Sequence, residues 1–585
     1  MKRYFHKIIQ YIRVNRKNTL LLLLILFIAS STRFFLLDRI PSGITNDELQ
    51  YILTAKSVFL TGKEINGLWS PYSFTIDPSY LLVPVARTVY IIISPFIGIL
   101  KFSLFNARLP FVLANIALIF ILYLITKITL NSKAAFLVGI IASINPWLMF
   151  IGRTSYEAPL ALFFVYLTFL ILLITKKWKI LLAIPLFVIT IYSYYGFSII
   201  LFPFLVFVVI FVWLENSKKY TLQYLFLILS CLIITAFFVL SIKQQRISYR
   251  LSEISTPNTP VIAQMVNDER KLSVKTPFIQ ILSNKYTAYV TYTLSRYSEV
   301  FSSDFLFIYG DSTFSLRYHG AFYYFDLLFI FSGIYYLLRF KKKLFFLLTG
   351  IILISPISSA IETVTQTYML RSAMLLPVLL ILIGTGIWFL SKYISKKYMF
   401  LFFGLITVIY AISFINFANV YFLRNPIYNS ERFAFSNRIV ARYLYFAQKE
   451  NQQTFVLADD SSHNLFKQVT FYNNELNNMN AVEFSKKYRM GVLQFKDVRF
   501  GNCGSKFDTN KTIIEEPTCK NIKKYFNKLT VPLLADGGTV YYIYNDTICS
   551  KYKLNRFPQN ITLNDLDVES LSEKTFCQVY ITNLN

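Results

Sequence analysis

The chain is short of charge. Only 15% of its 585 residues are Asp, Glu, Lys or Arg, against about 25% in soluble domains. With 55% hydrophobic residues and a mean hydropathy of +0.48, that deficit argues against a soluble enzyme and against disorder. Histidine and cysteine are scarce too. His6, His319 and His463 are far apart and no Cys-x-x-Cys occurs, so the spacing disfavours a zinc centre. No Gly-rich loop precedes a Lys-Ser or Lys-Thr pair, which removes a Walker-type nucleotide site. Acidic residues are the minority: 31 Asp and Glu against 59 Lys and Arg, for a net charge of +28. A nucleic-acid partner would need those cations on one soluble face. Here many sit in short loops between apolar runs, where they set membrane orientation instead.

What is present is a succession of apolar runs of bilayer-crossing length. They fall near 18–37, 81–100, 107–127, 134–151, 157–175, 179–195, 197–214, 221–241, 321–338, 344–361, 371–390 and 398–418. The expected fold is a polytopic α-helical membrane protein with eleven to thirteen transmembrane helices. The first run reads as a retained span, because no small-residue cleavage site follows it. Lys2, Arg3, Lys7, Arg13, Arg16 and Lys17 place the tail 1–17 in the cytoplasm. Basic turns at 176–179, 218–219, 339–343 and 392–397 fall on the same side. Loops 38–80, 152–157, 242–320 and 362–370, and everything after 419, are then outside, in a multi-pass protein of the plasma membrane. Twelve spans would return the C-terminus to the cytoplasm, whereas the charges call for an odd number. The conflict lies between 38 and 157, where either one segment is amphipathic or re-entrant or two are wrongly divided.

From 419 to 585 the composition turns to Asn, Lys, Asp and Thr with short alternating apolar runs. Thr454–Ala458 and Thr539–Tyr544 read as strands, and 431–450 as an amphipathic helix. A C-terminal extracytoplasmic α/β domain is expected, following a membrane module over 18–418. Cys503, Cys519, Cys549 and Cys577 lie in it. An even count outside the cell suggests disulfides. Cys503–Cys519 with Cys549–Cys577 is the most local of three connectivities.

Candidate chemistry gathers in the outer loops. Asp47 and Glu48 stand side by side just after the first span, in a stretch where Asn46 or Asp47 is suited to cap a surface helix. Arg153 and Glu157, four apart, would share a face if that turn is helical. Arg108 and Arg371 each open an apolar run from the outer side, against the orientation bias, and call for an anionic partner such as a phosphate or a carboxylate. Tyr51, Trp69 and Tyr72 are placed to stack on a sugar or to anchor at the interface.

Together, Asp47-Glu48, Thr61-Gly62-Lys63, Arg108-Leu109-Pro110 and the Arg153/Glu157 turn resemble the GT-C membrane glycosyltransferases. The likeness is to the protein O-mannosyltransferase group (glycosyltransferase family 39) and the lipid A aminoarabinose transferases. Tyr192–Phe197, Ser295–Ser298, Phe305–Phe307, Gly310-Asp311 and Tyr368–Arg371 extend it over about 30–420. The resemblance implies transfer of a monosaccharide from a polyprenyl-phosphate carrier to a protein, lipid or glycan acceptor at the outer face, with inversion. Asp47 is then the candidate general base, with Glu48 and Glu157 beside it. Arg108, Arg153 and Arg371 are the candidate phosphate and lipid-carrier ligands. No cofactor is required, although the carboxylates suit a divalent metal ion; the bilayer is a partner and nucleic acid is not. A transporter and a non-catalytic receptor or assembly protein are the alternatives. The first would show inverted repeats, which the sequence lacks; the second would leave Asp47 and Glu157 dispensable.

Overall fold

The computed structural model describes residues 16–72, 87–244, 256–311, 313, 316–362, 368–459, 462–508, 510–519, 528–555 and 560–583. The basic tail up to residue 15 and the end of the first outer loop, 73–80, lie outside the described residues.

Each of the twelve apolar runs contains helix. In chain order, and counting the outer-loop helix, these are α1 (Arg16–Phe34), α2 (Asn46–Thr61), α3 (Arg87–Ile99), α4 (Leu104–Thr129), α5 (Ser132–Ile144), α6 (Pro146–Gly152), α7 (Glu157–Ile174), α8 (Ala183–Ile191), α9 (Ser198–Glu215) and α10 (Thr221–Gln244). After a long connection come α11 (Pro260–Leu272), α12 (Lys285–Glu299), α13 (Asp326–Phe340), α14 (Lys342–Ile354), α15 (Leu375–Ser391) and α16 (Met399–Ala418). Among the described residues six helices are long and apolar enough to cross a bilayer, seven if α5 and α6, bent by 58°, form one span. That bend has a local cause. Pro146 lacks the N–H that would continue α5, and Asn145 caps the new helix, accepting from Leu148 N at 2.9 Å. The remaining apolar helices are short. At 1.5 Å per residue a 13-residue helix such as α3 covers only about 20 Å of a core roughly 30 Å thick.

α3 falls in the stretch where the span count and the charges conflict. It lies alongside α2 and runs the same way, with Tyr51 meeting Tyr90 and Phe59 meeting Gly98 so closely that a Cβ there would overlap the ring. Its start bonds to the end of α8, Thr88 Oγ1 to Ile189 O at 2.9 Å. Beyond its far end, Phe102 N donates to Asn474 Oδ1 of the C-terminal domain at 2.7 Å. Lys56 of α2 closes the helix by donating to Gly98 O and Leu100 O at 2.7 and 2.9 Å. Both ends of α3 thus lie at the end of the bundle that carries the C-terminal domain.

The centre of the bundle is α15, buried throughout Leu375–Ile387. It admits its neighbours through glycines. Gly386 faces the Phe329 carbonyl, Gly333 faces the Leu382 carbonyl, and Gly384 faces Val138. Small residues let helix backbones approach where no aqueous driving force presses them together.

Among its described residues the C-terminal domain contains a seven-stranded sheet of β1 (Thr454–Leu457), β2 (Gln494–Phe495), β3 (Val498–Gly501), β4 (Thr512–Glu515), β5 (Lys528–Pro532), β6 (Thr539–Tyr544) and β7 (Thr582–Asn583), in the order β2-β3-β1-β4-β6-β5-β7. β1 (Thr454–Leu457) and β6 (Thr539–Tyr544) are the two strands expected from alternation. The amphipathic helix is α17 (Phe435–Lys449). It begins later than its apolar pattern because Ser430–Phe433 forms a tighter turn and Ala434 takes φ 49°. Both disulfides have the local connectivity, Cys503–Cys519 and Cys549–Cys577.

Gly386→Leu is expected to destabilise the bundle by about 3 kcal/mol through overpacking. The measurement is the thermal midpoint in detergent, with Gly404→Leu as control, since a side chain at Gly404 meets no neighbour.

Candidate active site

The site is built around the backbone that joins α1 to α2. Thr45 is the cap of α2, not Asn46 or Asp47. Its N–H donates to Glu48 Oε2 at 3.0 Å while its hydroxyl accepts from Glu48 N at 3.3 Å, a reciprocal capping box. The cap therefore occupies Glu48 and not Asp47. Glu48 is fully buried, and its other oxygen accepts from Ser155 N at 2.6 Å, clamping the second outer turn onto the first. Burial raises the Glu48 carboxyl above the ordinary range, against the pull of Arg108 and of the N–H groups of Ser155 and Thr45. Asp47 is exposed in the first turn of α2.

Arg153 and Glu157 do not share a helix face, because α6 ends at Gly152 and α7 begins at Glu157. Glu157 instead hydrogen-bonds Tyr51, and the charges of Glu157 and Asp47 both act on that tyrosine. Burial first, then those charges, pushes the Tyr51 hydroxyl well above its usual value. Asp47, Tyr51 and Glu157 therefore form one cluster, with Tyr156 beside it feeling both Glu48 and Asp47.

The guanidinium groups of Arg108 and Arg153 are fully buried. Arg153 donates to Thr32 O, Arg33 O and Ile40 O at 3.0, 2.6 and 2.9 Å, and its Nε to the Tyr421 hydroxyl at 3.1 Å. Arg108 donates to Leu37 O at 2.9 Å and Gly43 O at 2.5 Å. Glu48 acts on Arg108 as its anionic charge partner; the bonds named above run to carbonyl oxygens and a phenol. Arg371 is apart from these, paired with Glu362 at 2.8 Å. Near it Tyr368 donates to Glu299 Oε2 at 2.6 Å and Met369 N to Asp311 Oδ2 at 2.8 Å.

Three cations escaped the sequence reading. Arg87 opens α3, with its guanidinium 5.6 Å from the Trp69 ring centroid and 6.0 Å from that of Tyr192, within cation–π range. Trp69 in turn meets Tyr90, and Tyr90 meets Tyr51. An aromatic wall thus runs from the Asp47 cluster to Arg87. Tyr72 is largely exposed and Trp69 buried, so Trp69 belongs to that wall and Tyr72 does not. Arg432 feels both Asp311 and Tyr156, and burial lowers its guanidinium. It thereby links the Arg371 side to the Asp47 side. Lys467 lies on α18 (Ser462–Tyr472) of the C-terminal domain, which packs onto α2. Burial lowers this ammonium and the charge of Asp47 opposes that. Arg87 alone had a usable signal, being the one cation inside the apolar run 81–100. Among the described residues no three His, Cys, Asp or Glu side chains gather as ligands for a metal ion.

Residues 86–239 match the family model described as dolichyl-phosphate-mannose-protein mannosyltransferase. The likeness to membrane glycosyltransferases is borne out. The glycosyltransferase class read from the motifs stands with it. The matched stretch contains Arg87, Arg108, Arg153 and Glu157 and leaves Asp47 and the C-terminal domain outside. No curated protein matches the chain in sequence. Solved structures align along most of it. ArnT from Cupriavidus metallidurans bound to undecaprenyl phosphate is 13% identical, covering 90% of this chain and 98% of its own at a TM-score of 0.46. The same protein in the apo state is 12% identical, with 89% and 97% covered and a TM-score of 0.46. The archaeal oligosaccharyltransferase AglB from Archaeoglobus fulgidus, in complex with an inhibitory peptide and a dolichol-phosphate, is 12% identical, with 92% and 75% covered and a TM-score of 0.43. At this similarity they carry no residue correspondence.

Arg153→Met strips the donors from a set of buried carbonyls and is expected to lower stability by about 3 kcal/mol. The test is the thermal midpoint in detergent; a midpoint equal to wild type would show that those bonds are not needed.

Proposed function

We propose that the chain transfers a sugar from a polyprenyl-phosphate donor to an acceptor hydroxyl, with Asp47 as general base and inversion at the anomeric carbon. The observation that carries this reading is the division of labour in the Asp47-Glu48 pair. Glu48 is buried and bonded on both oxygens, while Asp47 is left exposed next to Tyr51 and Glu157. The description of the matching family, which names a dolichyl-phosphate sugar donor and a protein acceptor, supports the same chemistry.

In the step itself, the acceptor oxygen attacks the anomeric carbon as its proton passes to Asp47. The bond from that carbon to the phosphate oxygen breaks, and polyprenyl phosphate leaves with the electron pair. A phosphate leaving group needs little acid help; it needs cations where its charge grows. Arg87 is our candidate for that contact, at the far end of the aromatic wall, and Arg371 is the second. Arg108 and Arg153 act at one remove, as positioning residues that hold the 32–43 backbone and with it Asp47. Glu157 orients Tyr51 and the acceptor. Asp47 and Glu157 are the carboxylates available to a divalent ion accompanying the donor phosphate.

The site would face the outside of the plasma membrane. Supporting this, the basic turns 176–179, 218–219, 339–343 and 392–397 fall at the end of the bundle opposite the C-terminal domain, where the positive-inside bias puts the cytoplasm.

The test is sugar transfer in membranes from a panel of polyprenyl-phosphate sugars, followed as released polyprenyl phosphate. Asp47→Asn is expected to cut kcat by about 10²–10⁴-fold with the donor KM unchanged. Turnover equal to wild type would remove Asp47 as base. Arg87→Gln is expected to raise the donor KM about tenfold or more, the loss of one charge-assisted contact. An unchanged donor KM would take Arg87 off the phosphate.

A further inference from the structure

The proposed reaction leaves the stretch 270–285 unexplained. It runs from the end of α11 to the start of α12 and carries Arg270, Lys271, Lys275 and Lys285 with no acidic residue. Interspersed are Leu272, Val274, Phe278, Ile281 and Leu282, which are between 65% and 85% exposed. The two flanking helices do have a core, Ile262 and Val266 of α11 against Ala288 of α12. The five apolar residues of the connection are turned away from it. Left in water, side chains of this size forgo the gain of burial.

Two tethers fix the depth at which this hairpin sits. Tyr297 of α12 donates to Leu353 O, in the last turn of α14, at 2.8 Å, and Tyr292 donates to Glu362 O at 2.8 Å. α12 therefore rests against the ends of membrane helices, where hydrocarbon gives way to headgroups. Apolar side chains alternating with lysine and arginine at that level match an interfacial surface, and the four cations, against Asp268 and Glu269 just before them, leave a net positive charge that complements an anionic one.

We infer that residues 270–285 dock into the headgroup region of the outer leaflet and select anionic lipid there. The inference rests on the orientation proposed above. It also joins the lipid surface to the site, since Glu299, the last residue of α12, accepts from Tyr368, three residues before Arg371.

The experiment uses the full chain. Cys231 is the one free cysteine, so Cys231→Ser gives a background in which Phe278→Cys and Leu282→Cys take a polarity-sensitive fluorophore. Met479→Cys, on a residue 95% exposed in the C-terminal domain, is the aqueous control. Nanodiscs are made of phosphatidylcholine alone or mixed with phosphatidylglycerol. Labels at 278 and 282 are expected to emit to the blue of the control and to be quenched by lipids brominated near the headgroup. Insertion is expected to be greater with phosphatidylglycerol, and Lys271→Gln and Lys275→Gln each to reduce that preference roughly fivefold. Emission matching the control in both discs overturns the docking. Equal insertion in both discs overturns the selection of anionic lipid. Sugar transfer measured on the same samples separates the two readings: water-exposed labels with transfer intact sink the docking alone, and inserted labels without transfer from any donor sink the reaction alone.

Discussion

Everything at the candidate site depends on buried guanidinium groups gripping one stretch of backbone. Arg153 holds the carbonyls of residues 32, 33 and 40, and Arg108 those of 37 and 43. Arg33 anchors the end of α1 to the carbonyls of Ala142 and Ser143. Removing three cations from water is unfavourable by several kcal/mol each even after relaxation. One carboxylate, Glu48, offsets part of that, and oriented carbonyl dipoles supply the remainder. The fork of donors on arginine suits this use: one side chain satisfies several acceptors that the turn 35–45, lacking regular structure, would leave unpaired. The exposed carboxylate of Asp47 inherits its position from this framework.

The C-terminal domain completes the framework. Arg438 donates to Ser42 O and to Glu569, Gln468 donates to Ile44 O at 3.0 Å, and Arg39 reaches Asn564 at 2.9 Å. Burial alone would lower the Arg438 guanidinium, but Glu569 outweighs it and holds the charge above its usual range. The domain thus braces the 38–44 turn on the side away from the bundle and presents Lys467 toward Asp47. It is a wall of the site as well as an appendage to it.

Much of this was legible in the chain. Hydropathy located the apolar helices because burial in lipid demands long uninterrupted runs. The charge pattern, taken with the odd span number it required, pointed to a misfit between 38 and 157, the stretch in which the short α3 lies. The local disulfides and the strands at 454 and 539 followed from spacing and alternation. The loop arginines Arg108 and Arg371 were read as needing an anion; Arg371 pairs with Glu362 and Arg108 feels Glu48, but the carbonyls that Arg108 also bonds were not foreseen. The capping box was missed although Thr45-Asn46-Asp47-Glu48 carries its Thr-x-x-Glu signature, because Asn46 and Asp47 were weighed as the caps instead. Lys467 and Gln468 were out of reach for a different reason. They meet a loop more than 400 residues earlier, and no local period records a contact of that separation.

Glu48 has a further consequence, for how the protein breathes. One of its oxygens closes the first turn of α2 and the other holds Ser155, 107 positions away. Neither end can fray without exposing a carboxylate the other has helped to bury. The start of α2 and the second outer turn are thereby made one cooperative opening unit. Their amide hydrogens are expected to become open to solvent in one event with one opening free energy, although nothing in the order of the chain makes them neighbours.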